Sequence, residues 1–108
     1  MLSLLLSSCT VEKVYAKIAK GSPLSIVVVT DLHYLDASLF DLGSAFIKYS
    51  TAGDGRILRY NNEIVDAFVS KMIETKPDIL IISGDLTNNG EKISHEKLAE
   101  KLKLIEAS

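Results

Sequence analysis

The sequence predicts an α/β fold built on a βαβ unit with a parallel sheet. Three observations carry this. Ile26-Val27-Val28-Val29 and Ile79-Leu80-Ile81-Ile82 are continuous apolar runs of strand length, the pattern of parallel strands buried on both faces. Between them, Ile64, Ala67, Phe68 and Met72 recur at helical spacing, as the crossover between parallel strands requires. Each apolar run gives way to an acid, Asp31 after Thr30 and Asp85 after Ser83-Gly84. A right-handed crossover puts both acids at one carboxyl edge, where open α/β sheets bind ligands.

Composition sets the outer bounds. At 108 residues the chain amounts to at most one domain, and 47% hydrophobic with 24% charged content reads as globular rather than disordered. The formal net charge is -2 with both signs interspersed, which leaves no basic footprint for nucleic acid. No stretch approaches the roughly 20 apolar residues of a membrane span.

Residues 1–23 read as a leader and tether rather than as part of the fold. Leu4, Leu5 and Leu6 are followed by Ser7, Ser8 and Cys9, the single cysteine. The apolar run is short and no Lys or Arg precedes it, so the residues alone also allow a frayed apolar N-terminus with an isolated cysteine. Leu6-Ser7-Ser8-Cys9 resembles the lipobox of bacterial lipoproteins. That resemblance implies lipidation at Cys9, membrane attachment through it, and a place at the cell surface; without it a cytoplasmic location is expected. Val11 to Pro23 carries Lys13, Lys17 and Lys20 and closes on Gly21-Ser22-Pro23, a breaker cluster that marks the boundary of a domain over 24–108.

The first strand is expected from about Ser25 to Thr30, rich in β-branched residues that suit a pleated surface. From Tyr34 to Tyr60 the signal weakens. Leu35, Leu39, Leu42 and Phe46 show some helical spacing, interrupted by Gly43, Gly53 and Gly55. Asp54-Gly55 suggests a hairpin between Ile47–Ser50 and Arg56–Tyr60. A long connection leaving the acidic edge either shapes a site or pads the sheet. Asn61 or Asn62 is the expected N-cap of the next helix, whose buried stripe is Ile64, Ala67, Phe68 and Met72, widened by Val65, Val69 and Ile73. Pro77 stops it near Thr75. The second strand is expected near Asp78–Ser83. Ser94 then caps a last helix whose Leu98, Leu102 and Ile105 face the core.

Asp31-x-His33 in an extended segment puts a carboxylate and an imidazole on one face, a donor pair suited to Mn, Fe, Ni or Zn. Either element alone is weak, since acids and glycines are ordinary at strand ends. Both together, at the ends of consecutive parallel strands, point to a metal site of Asp31, His33 and Asp85, with Gly84 allowing close backbone approach. His95, at a helix start, reads as a solvated residue rather than a ligand.

Asp31-Leu32-His33 followed by Gly84-Asp85-Leu86-Thr87-Asn88-Asn89-Gly90 resembles the calcineurin-like metallophosphoesterase family. The resemblance covers Ile26 to about Ser108. It implies a four-layer αββα sandwich, of which this chain would be an incomplete βαβ part. It implies two divalent metal ions, with Asp31 and His33 on the first and Asp85 bridging both. It also implies two-metal hydrolysis of a phosphomonoester or phosphodiester substrate. The Gly-Asp-Leu-Thr form leans toward the phosphodiesterase-type branch. The family's Gly-Asn-His block and later histidines have no counterpart among these residues. The chain therefore reads as an N-terminal fragment, inactive alone, whose general acid/base histidine lies elsewhere. Two other readings stay open: a non-catalytic metal- or nucleotide-binding βαβ module, and a lipid-anchored surface interaction protein. No phosphate-cradling Gly-rich loop follows either strand, which weighs against a standard nucleotide site. The residues do not fix an oligomeric state.

Overall fold

A computed structural model describes residues 20–52 and 57–108. Cys9, the Leu6–Cys9 stretch and the Asp54-Gly55 turn lie outside the described residues. Strand β1 is Ile26–Val29 and β2 is Ile79–Ile82, paired parallel in the register Ile26–Ile79 to Val29–Ile82. The register is set at its entrance, where Ser25 N–H donates to the Asp78 carboxylate at 2.8 Å and Ile79 N–H to Ser25 C=O at 3.2 Å. Beyond the strands the two chains stay paired. Asp31, His33 and Tyr34 donate to the carbonyls of Gly84, Asp85 and Leu86, and Asn88 N–H returns to Tyr34 C=O.

Among the described residues three α-helices accompany this pair: α1 at Ser44–Ser50, α2 at Asn61–Thr75 and α3 at Lys92–Glu106. Short 3-10 turns at Ala37–Leu39 and Leu58–Tyr60 complete the connection from β1 to α2. α2 ends where Pro77 requires. Its C-cap Lys76 turns left-handed, φ 44°, and its N–H bonds Met72 C=O. α2 packs on α3, and the core is Tyr34, Val65, Val69 and Leu98. Leu32 and Leu86 pack on it from the two loops beyond the strands, with Phe68, Ile73, Leu102 and Ile105 from the helices. The helices thus anchor the carboxyl edge of the sheet directly.

Several expectations change. The strands are not buried on both faces. Val27, Val29, Leu80 and Ile82 are half-buried, whereas Ile26, Val28, Ile79 and Ile81 are exposed, Val28 to 63%. Two strands and one helical layer, among the described residues, cover only one side. The hairpin does not form: Ile47–Ser50 lies in α1, and Leu58–Tyr60 is a 3-10 turn. Phe46 stacks on Phe40 with ring centroids 5.5 Å apart, which holds α1 against the preceding segment. The Leu35-to-Phe46 spacing is not one helix, since Leu35 is buried in the loop and Leu42 is 92% exposed. The stripe on α2 is rotated toward Asn61, Val65, Val69 and Met72, leaving Ile64 exposed. Ser94 lies within the first turn of α3, and its hydroxyl accepts from Asp36 N–H at 3.1 Å instead of capping.

Candidate metal centre

The three candidate ligands meet. His33 Nε2 lies 3.6 Å from Asp31 Oδ1 and 3.9 Å from Asp85 Oδ2. One donor atom from each residue falls within 4.8 Å of the others. The route to this convergence differs from strand alternation. Asp31 has φ 55° and His33 φ 43°, so both are left-handed rather than extended. Asp85 is left-handed too, at φ 39°. Among the described residues the fourth non-glycine with positive φ is Lys76, the helix C-cap. Each such residue costs of order 1–3 kcal/mol and persists where its surroundings over-determine it. The strained positions coincide with the donor set.

Gly84 contributes conformation. Its φ is 136°, and a Cβ there would meet nothing within 4 Å. The peptide needs glycine to turn, and no described atom crowds it.

Asp31 is oriented from outside the cluster. Thr30 Oγ1 donates to Asp31 Oδ2 at 2.6 Å, which leaves Oδ1 turned to the imidazole. His33 Nδ1 is buried, with no hydrogen-bond partner among the described residues. Nε2 is the nitrogen on the open side. The Asp85 side chain is 70% exposed, so the cluster opens to solvent. Donors bound to a divalent ion at about 2.0–2.2 Å stand roughly 3–3.5 Å apart. The observed spacings, 3.6 and 3.9 Å from His33 and within 4.8 Å across the set, therefore need closure on the order of 1 Å. Two carboxylates and one imidazole suit Mn, Fe, Zn or Ni, and the donor set fits such an ion.

A model of the calcineurin-like phosphoesterase family matches residues 24–107. The chain belongs to that family. No curated protein matches the chain. In this family member the mixed α/β arrangement with its parallel pair is consistent with a βαβ part of the family fold. Membership makes the chain a relative of metal-dependent phosphoesterases, so its acidic edge has a chemical context.

Other residues of this edge escape sequence reasoning. Asn61 and Asn62 do not cap α2, whose N-cap is Tyr60 without a side-chain bond. Asn61 Oδ1 accepts from Leu35 N–H at 3.0 Å, and its Nδ2 donates to Leu32 C=O at 2.9 Å. Asn62 Nδ2 donates to Leu35 C=O, and Asn62 Oδ1 accepts from the Tyr34 hydroxyl. A pair of asparagines at a helix start is a signal, but it points to capping first. Tyr49 of α1 reaches the other loop. Its phenol oxygen accepts from Asn88 Nδ2 at 2.9 Å and Asn89 Nδ2 at 3.2 Å. The long connection is thereby tied to the residues just after Asp85. His95 is exposed and stands outside the cluster, but not free: its Nε2 is 3.1 Å from Thr87 Oγ1, which also accepts from Gly90 N–H.

Proposed function

We propose that Asp31, His33 and Asp85 hold one divalent ion and form part of a centre that hydrolyses phosphoester bonds. The convergence of their three donor atoms at the carboxyl edge of a parallel pair carries this reading, within a chain of the calcineurin-like phosphoesterase family. Such an ion would polarise a phosphoryl oxygen and lower the pKa of its bound water, so that hydroxide is available near neutral pH. The chain's own residues supply orientation. Thr30 fixes the Asp31 carboxylate, and the backbone bonds from His33 and Tyr34 to Asp85 and Leu86 hold the two loops in register.

Three donors fill at most one ion's protein ligands, and the 108 residues contain no Gly-Asn-His block. The expected behaviour is weak binding of one divalent ion, without turnover of phosphomonoesters or phosphodiesters. Calorimetric titration with Mn²⁺, paired with hydrolysis of an aryl phosphate and a bis-aryl phosphate, tests both halves. Asp85→Asn should lower the Mn²⁺ affinity at least about tenfold, roughly 1.4 kcal/mol. Turnover that Asp31→Asn abolishes would show that the residues present complete a site.

A further inference from the structure

His33 sits in a turn of uncommon backbone conformation. It and Asp31 both adopt left-handed backbone conformations, so something outside the turn must hold it. One side is explained by backbone bonds to the Asp85 loop: His33 N–H to Asp85 C=O and Tyr34 N–H to Leu86 C=O, each 2.9 Å. The other side rests on a side chain. Asn61 is only 7% exposed, and its carboxamide brackets His33, bonding the residue before it and the residue two after it. The orientation of that amide is fixed by chemistry. Leu35 N–H requires an acceptor and Leu32 C=O requires a donor, and a carboxamide offers both. The helix start gives up its side-chain cap in the same arrangement.

We propose that Asn61 is a positioning residue for the metal centre, holding the Asp31–Leu35 turn so that His33 Nε2 faces the two carboxylates. This rests on the metal reading above and adds a residue to it. The bonds lie one step behind the candidate ligand, where partners of metal ligands commonly set affinity. Asn61→Asp is the shape-preserving probe. It keeps the acceptor for Leu35 N–H and sets a second oxygen against Leu32 C=O. Met72→Ala is the control, buried on the same helix three turns away.

Two readouts on the 108-residue chain decide the matter: Mn²⁺ affinity by calorimetry, and the His33 ring ¹H–¹⁵N resonances without metal. Asn61→Asp should weaken Mn²⁺ binding about 10- to 100-fold and shift or broaden the His33 ring signals. Met72→Ala should lower the melting temperature yet change the affinity less than about twofold, as expected of distant, independent sites. A folded Asn61→Asp chain with unchanged affinity and unmoved ring signals overturns the proposal. If Asn61→Asp does not fold, Asn61→Ser, too short to span both bonds, is judged by the same readouts. If the parent chain takes no Mn²⁺, the metal reading fails, and the ring signals alone then judge whether Asn61 sets His33.

Discussion

Asp85 combines a left-handed backbone with a carboxylate facing another acid across an imidazole. The left-handed backbone opposes stability, and glycine at this position would relieve it. Asp85→Gly should therefore leave the melting temperature unchanged or raise stability by up to about 1 kcal/mol, while removing Mn²⁺ binding. A clear loss of stability in chemical denaturation would show that the Asp85 side chain supports the fold. Tyr34 makes the second residue-scale case. Burial, then the charge of Asp36, then its hydrogen bond to Asp36 push the phenol up to about 12 from 10.0. The folded pKa is raised, so the neutral phenol's contribution is complete below pH 10. As pH rises past 10 the unfolded chain releases this proton first, and the contribution is lost through about pH 12. The loss should be of order 2 kcal/mol. Unfolding free energies of the parent chain and Tyr34→Phe between pH 9 and 12 check this, because other alkaline titrations cancel in the difference.

The elements divide into those whose sequence pattern is self-sufficient and those set by distant partners. The two apolar runs, the stop at Pro77 and the inward face of α3 are legible, because strand length, a proline and helical spacing are local signals. Asp31, His33 and Asp85 are legible as a group because each acid ends a strand. The left-handed turns that join them are not, since Asp and His tolerate φ above zero better than most residues but adopt it only in a minority of cases. The connection over 34–60 was illegible for a different reason. Its short helix α1 is fixed by Phe40 against Phe46 and by Tyr49 against Asn88 and Asn89, and no local periodicity encodes those contacts. Asn61 and Asn62 misled because capping and loop-bracing draw on the same chemistry. The division between buried and open faces is testable in this chain. Leu98→Ala, in the centre of the core at 2% exposure, should cost about 2–5 kcal/mol. Val28→Thr, on the open sheet face, should cost less than about 1 kcal/mol. Equal losses in urea denaturation would mean that the exposed face is covered in solution.

At the scale of the whole molecule, the helices, core and sheet share one purpose, which is to fix the carboxyl edge. Tyr34 and Leu32 belong both to the core and to the turn carrying His33, and Leu86 does the same for the Asp85 loop. Stability of the α2–α3 packing and order at the acidic edge are thus coupled through the same side chains. The most direct test of the central claim is a Mn²⁺ titration of the parent chain alongside Asp31→Asn, His33→Ala and Asp85→Asn, followed by calorimetry. One ion per chain is expected, with each substitution weakening it at least about tenfold. Binding that all three substitutions leave intact, or no binding at all, would contradict the assignment of these residues as a metal centre.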